Sequence, residues 1–240
     1  MEAIGCHRVS DREEGRDKSE LLRREEIPRS FAIATKEVNL AQFRRFWQDF
    51  LIETQDDSHP DLPVDRVDLF AAMAYCNWLS EVEGVASDQR CYVDRGDGQL
   101  GLAPDALQRT GYRLPSESEW EFACRAGTVT PRHDGFDDDF LDYFAWNTRN
   151  TDRLLQAVGS LKPNGLGLFD VYGNVREWCH LENTFLDGTA FPESDDFGRV
   201  RGGSTLSEKR TFRSAFQLGV LATSALRGYG FRIARTIVFP

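Results

Sequence analysis

Beyond Gly127 the chain loses helical periodicity almost completely, and this governs what it can fold into. Over residues 128–240 the apolar positions come in short runs broken by Gly, Asn and Asp: FAWNT, LGLFDVYGNVREWC, RVRGGS, TFRSAF and YGFRIART. Runs of that length between turn formers predict short antiparallel strands joined by long loops. Helices are therefore expected before Gly127, where three starts can be read. Asn39 with Gln42 forms a capping box, after which Leu40, Phe43, Trp47 and Phe50 fall on one face. A second helix is predicted from about Asp68 to Glu81, with Phe70, Ala74 and Trp78 and the intervening Ala71, Tyr75 and Leu79 as its apolar stripe. The third is the clearest: Ser116 is its N-cap, Glu119 completes the box, Glu117 suits the positive end of the dipole and Gly127 supplies the stop.

Ahead of these helices RSFAIATKEV reads as a strand, and Gly84 to Gly111 as a long ordered loop with a short hairpin. The class is α+β. The expected organisation is a charged N-terminal arm over residues 1–26 and a single domain over residues 27–240. Seventeen Phe, five Trp and six Tyr predict a core built from rigid aromatic anchors, and 20 Gly with 9 Pro predict many turns.

Composition also removes whole classes of function. A net charge of -10 argues against nucleic-acid backbones and anionic membranes as partners. No window approaches about eighteen consecutive apolar residues, and the N-terminus is charged throughout, so neither a spanning helix nor a signal peptide is expected and the location is read as cytoplasmic. Five cysteines, Cys6, Cys76, Cys91, Cys124 and Cys179, show no CxxC spacing. This speaks against zinc and against a secreted disulfide framework, although one bridge among them is left open. All but Cys6 are read as packing residues. The four His residues are isolated, and there is no P-loop, HExxH, GxSxG or strand-borne GxGxxG.

Three segments carry a resemblance: GYRLPSESEWEFACRAGT at 111–128, GLGLFDVYGNVREWC at 165–179, and RVRGGS followed by RSA and GFRIART within 199–236. In these the chain resembles the formylglycine-generating enzyme (sulfatase-modifying factor) family. IPRSFAIATKEVNLAQFRRF and AAMAYCNWLSE are similar to the family's N-terminal strand and helices. The resemblance implies a C-type-lectin-like fold, with two to three helices on a twisted, mostly antiparallel sheet and many long loops.

The family's oxidases hold copper(I) through two thiolates placed after the Arg-Gly-Gly-Ser motif, a soft donor pair for a soft ion. The matching positions here are Ser207 and Phe212, so no copper is expected and cysteine oxidation becomes the alternative reading. A related iron-dependent branch draws ligands from an HxxxHxE segment, which this chain lacks. The resemblance further implies a structural Ca²⁺ bound by the Asp170 and Glu177 carboxylates and the Gly173 and Val175 carbonyls, an all-oxygen set suited to a hard cation. Against it stands a plain tight turn at Gly173-Asn174 with Glu177 solvated or paired to an Arg.

Two inserts lie between Ser204 and Gly230, in a framing that resembles the hypervariable region of diversity-generating retroelement proteins. The expected ligand-binding residues are Thr205, Leu206, Ser207, Glu208, Lys209, Arg210 and Phe212 in the first. In the second they are Phe216, Gln217, Leu218, Val220, Leu221, Thr223, Ser224, Leu226 and Tyr229. Their partner is expected to be a protein or other macromolecule. LGVLATSAL is either an exposed apolar patch or a core strand, since periodicity alone does not choose. Arg201, Arg213 and Arg232 are expected to be scaffold, pairing with acidic loops.

Overall fold

The computed structural model describes residues 26–51, 59–96, 98–180 and 197–239. The expected arm, apart from Glu26, and with it Cys6, lies outside the described residues.

Local sequence explains each helix start. In α1 (Leu40–Arg44) the Asn39 side chain accepts from the Gln42 amide and the Gln42 side chain takes the Asn39 amide, the expected capping box. This helix closes sooner than predicted, so Trp47 lies beyond its last turn and is half exposed while Leu40, Phe43 and Phe50 are buried. Asp68 caps α2 (Leu69–Val82) by accepting from the Ala71 amide. Its buried face differs from the predicted stripe: Leu69, Ala72, Met73, Tyr75 and Cys76 go inward, while Phe70 and Trp78 are half-buried. The segment is apolar almost all round, so its own pattern does not select a face. Ser116 and Glu119 box the start of α3 (Glu117–Arg125) as expected, and at its end the left-handed conformation begins at the cap residue Ala126 and continues at Gly127.

Strands from near the two limits of the described residues meet in one sheet. Strand β1 (Ser30–Ile33) pairs antiparallel with β11 (Ala234–Ile237), which also pairs with β4 (Tyr112–Arg113). The hairpin expected in the long loop is β2 (Tyr92–Asp94) with β3 (Leu100–Leu102). In the sheet that frames the candidate site, β7 (Arg176–Cys179), β8 (Phe197–Arg201) and β9 (Gln217–Leu221) run antiparallel in that order. Two pairings are parallel, within the mostly antiparallel arrangement expected: β5 (Ala145–Trp146) with β6 (Tyr172–Gly173), and β10 (Tyr229–Gly230) with β7. Each joins segments tens of residues apart, a pairing that hairpin logic does not reach. The run TFRSAF forms no strand; the ladder begins one residue later, at Gln217.

Two apolar clusters hold the layers together. In the first, Phe43 stacks on Tyr75 (5.5 Å) and meets Phe50 and Phe231 edge-on, joining α1, α2 and the strand region before β11. In the second, Trp120 and Cys124 of α3 pack with Leu141, Tyr172, Cys179 and Phe212. The expected aromatic anchors are therefore the core.

Candidate functional site

Between the two clusters lies a buried charge network. Arg232 grips Glu177 through Nε to Oε2 (2.5 Å) and Nη2 to Oε1 (2.7 Å), and its remaining donors go to the Ala34 and Phe169 carbonyls. Trp120 Nε1 adds a third donor to Glu177 Oε2 (2.7 Å). Both members of the pair are fully buried. A second pair joins Arg113 to Glu119, which Arg29 also reaches. Arg201 lies beside Glu117 and Glu121. Thus Arg201 and Arg232 are scaffold as expected, but their partners sit on α3 and β7 rather than on acidic loops.

This network bears on the calcium expectation. Asp170 is buried, with Oδ2 accepting from the Gly159 amide (2.6 Å) and Oδ1 unpartnered. Glu177, however, is saturated by one guanidinium and one indole, and a carboxylate so neutralised is a poor ligand for a hard dication. The Val175 amide donates to Glu37 Oε1, and the Gly173 amide to the Gly202 carbonyl. Among the described residues no three acidic, His or Cys side chains come together to hold a metal. The donor set does not fit a calcium site built on Glu177; that carboxylate is instead the anchor for Arg232 and Trp120.

Glu37 was missed in the sequence, where nothing distinguishes it. Its Oε2 accepts from Asn174 Nδ2 (2.8 Å), and Asn174 Oδ1 in turn takes the Gln156 amide, so it braces the Gly173-Asn174 turn. Burial, and then the nearby Asp170 and Glu177, push its carboxyl well above the ordinary 4.5. A raised folded-state value favours folding fully below pH 4.5, and the benefit is lost as pH climbs through that value. Glu37→Gln has no such proton to lose. Its stability relative to the parent should therefore rise with pH from 4.5 upward in urea melts; a pH-independent difference would refute the assignment.

The copper positions hold a hydroxyl and a ring. Ser207 Oγ accepts from the Ser204 amide (2.9 Å) and lies 3.3 Å from Ser204 Oγ. Phe212 is buried beneath Gly203, whose missing side chain leaves room for the ring. Neither supplies a soft donor, so this pair does not fit copper(I). Cys76, Cys91, Cys124 and Cys179 are free and buried, and burial pushes the Cys91 thiol to about 11 and Cys124 to about 12. They are packing residues, as expected. His133 and His180 are driven down, to about 4 and about 3, chiefly by burial. Both are neutral near pH 7, and His180 Nε2 is bonded to the Tyr92 hydroxyl (2.5 Å).

The expected ligand-binding residues divide by burial. Thr205, Ser207, Phe212 and Tyr229 are buried and cannot be displayed; this corrects their assignment. The tight turn at 204–207 directs its hydroxyls inward, and Tyr229 packs edge-on against Trp178. Leu206, Phe216, Gln217, Val220 and Ser224 are half-buried. Glu208, Lys209, Arg210, Leu218, Leu221, Thr223 and Leu226 reach solvent. LGVLATSAL is thus neither wholly core nor wholly exposed: Val220 and Ala222 pack inward while Leu221 and Leu226 are half exposed. Beside the first insert a cavity of about 160 Å³ opens between Leu141, Asn147, Arg149, Lys209 and Phe212.

These layers, short strands and long loops define a C-type-lectin-like α+β domain of the formylglycine-generating-enzyme type. The same fold is seen in Treponema denticola variable protein 1, with a TM-score of 0.70 and 24% identity over 85% of this chain and 84% of that one. Residues 7–237 match the sulfatase-modifying factor enzyme 1-like domain, and the chain belongs to that family. Relatives include the formylglycine-generating enzyme of Streptomyces coelicolor, 33% identical over 52% of this chain and 46% of its own length. Another is the chaperone protein LppX of Paenibacillus barcinonensis, 30% identical over 49% of this chain and 51% of its own. The chain thus spans about half the length of these relatives. No helix among the described residues is long and apolar enough to cross a membrane.

Proposed function

We propose that this domain is a non-catalytic recognition module that presents β9 and the loop after it to a protein partner. The observation that carries this reading is the state of β9. Among the described residues it is the outer strand of its sheet, and it exposes Leu218 and Leu221, the latter opposite the equally exposed Phe197. Leu226, in the loop that follows, is 56% exposed. An edge strand with apolar side chains in water is an association surface that a monomer would otherwise blunt with charge. The fold shared with a protein named as variable supports the sharper form, a diversified receptor of the retroelement type.

The alternative is a copper oxidase acting on a peptide cysteine, favoured by the relatives named formylglycine-generating enzyme. Ser207 and Phe212 stand against it. Panning a random-peptide library on the full chain tests the main reading. Selected peptides should lose at least about tenfold in affinity for Leu221→Ser/Leu226→Ser, while melting barely changes because both side chains are exposed. Unchanged affinity, or stoichiometric copper(I) binding with formylglycine formed in a cysteine peptide, would overturn it.

A further inference from the structure

Several buried arginines are matched with carboxylates: Arg113 with Glu119, Arg132 with Asp134 and Asp138, Arg232 with Glu177. Arg176 departs from that pattern. Its Nη1 donates to Ser204 Oγ (3.2 Å), its guanidinium lies over the Tyr229 ring (5.9 Å), and its buried Nε has no partner. No carboxylate pairs with it among the described residues, and burial lowers its pKa with only Tyr229 opposing. A desolvated cation without a counter-charge is costly, and the cost is recovered when an anion arrives.

The surroundings add charge of the same sign. Arg227 reaches across to the Arg153 carbonyl (2.6 Å), which also accepts from Thr205 Oγ1 (3.4 Å), so the Arg227 guanidinium stands beside the 204–206 turn. No ion pair joins Arg227 to a described carboxylate. The geometry is held firmly: the Arg176 amide donates to the Gly228 carbonyl, and Asp65 Oδ1 takes the Gly228 and Tyr229 amides. Gly228 approaches so closely that a Cβ there would lie 2.9 Å from Ser204 Oγ. In a chain of net charge -10, two cations beside one turn run against the general field.

The geometry points to a subsite in which Arg176, flanked by Arg227 and the Ser204 hydroxyl, receives a carboxylate of an acidic peptide. This rests on the recognition reading above, to which it adds the chemistry of the ligand. A phosphate would seek unpaired backbone amides, but those of Ser204, Leu206, Gly228 and Tyr229 are already donating. What is left is a guanidinium end and a hydroxyl, which match a single planar carboxylate.

Titration of the full chain at low salt with three probes tests the subsite: an end-capped octapeptide of alternating Asp and Gly, its Asn counterpart, and inorganic phosphate. The Asp peptide should bind about tenfold tighter than the Asn peptide, as charge-assisted bonds predict. Arg176→Met should bring the two together. Should that variant fail to fold, Arg227→Ala should lower the preference by about threefold. Equal affinities in the parent, phosphate binding without the Asp peptide, or a preference unchanged in the variants would overturn the subsite. Leu221→Ser/Leu226→Ser separates the two proposals. It should weaken both peptides together and keep their ratio; a kept ratio with no weakening would sink the recognition surface and spare the subsite.

Discussion

Glu177→Ala should cost about 3–5 kcal/mol of stability in urea unfolding, the loss typical of breaking a buried pair from one side. The substitution leaves Arg232 with an unpaired charge in the interior and Trp120 Nε1 without its acceptor, since both donate to the same carboxylate. It also removes the tie between α3, β7 and the strand region before β11. That is a large share of the ~5–15 kcal/mol by which a native domain exceeds its unfolded chain. Glu177→Ala/Arg232→Met should recover much of the loss, because the cost lies in the stranded cation rather than in the missing attraction. A single-variant loss under about 1 kcal/mol, or a double variant worse than both singles combined, would contradict this account of the network.

Gly173→Ala is expected to be nearly as damaging, for a steric reason. Gly173 has φ +85° and pairs with Trp146 across the parallel β5–β6 ladder. A Cβ there would run into the Trp146 carbonyl oxygen and lie 2.7 Å from its nitrogen, backbone that no side-chain rotation can clear. Gly127 is the control, with the same φ but open space around a Cβ. Gly127→Ala should cost only the left-handed conformation, about 1 kcal/mol. Gly173→Ala should cost about 3 kcal/mol or more, since strain and collision add. Equal losses in paired thermal melts would mean that the ladder yields around residue 173.

How much of this was legible in the chain depended on the reach of each signal. The capping boxes at Asn39–Gln42 and Ser116–Glu119 need only four residues to be stated, and the structure has both. Likewise the hairpin at β2–β3 and the scaffold role of Arg201 and Arg232 follow from local composition and motif. The buried face of α2 was not legible, because a helix apolar on most sides takes its orientation from what packs on it. Nor was the partner of Glu177: Trp120 and Arg232 lie 57 and 55 residues away, and Glu37 is braced to Asn174 across 137.

The display surface divides along the same line. Its framing by Arg-Gly-Gly-Ser and Gly-Phe-Arg is a property of the sequence, and so is the loss of thiolates at Ser207 and Phe212. Only the tertiary structure decided that Thr205, Ser207, Phe212 and Tyr229 turn inward while Leu218, Leu221 and Leu226 face water. Leu218 and Leu221, three residues apart in β9, fall on opposite faces, so alternation does not expose both; the place of β9 as outer strand beside β8 does, and that pairing is a tertiary contact. For Arg176 the division is sharper still. The sequence places an arginine in the turn motif, whereas its lack of a counter-charge exists only once three separate stretches of chain have closed around it.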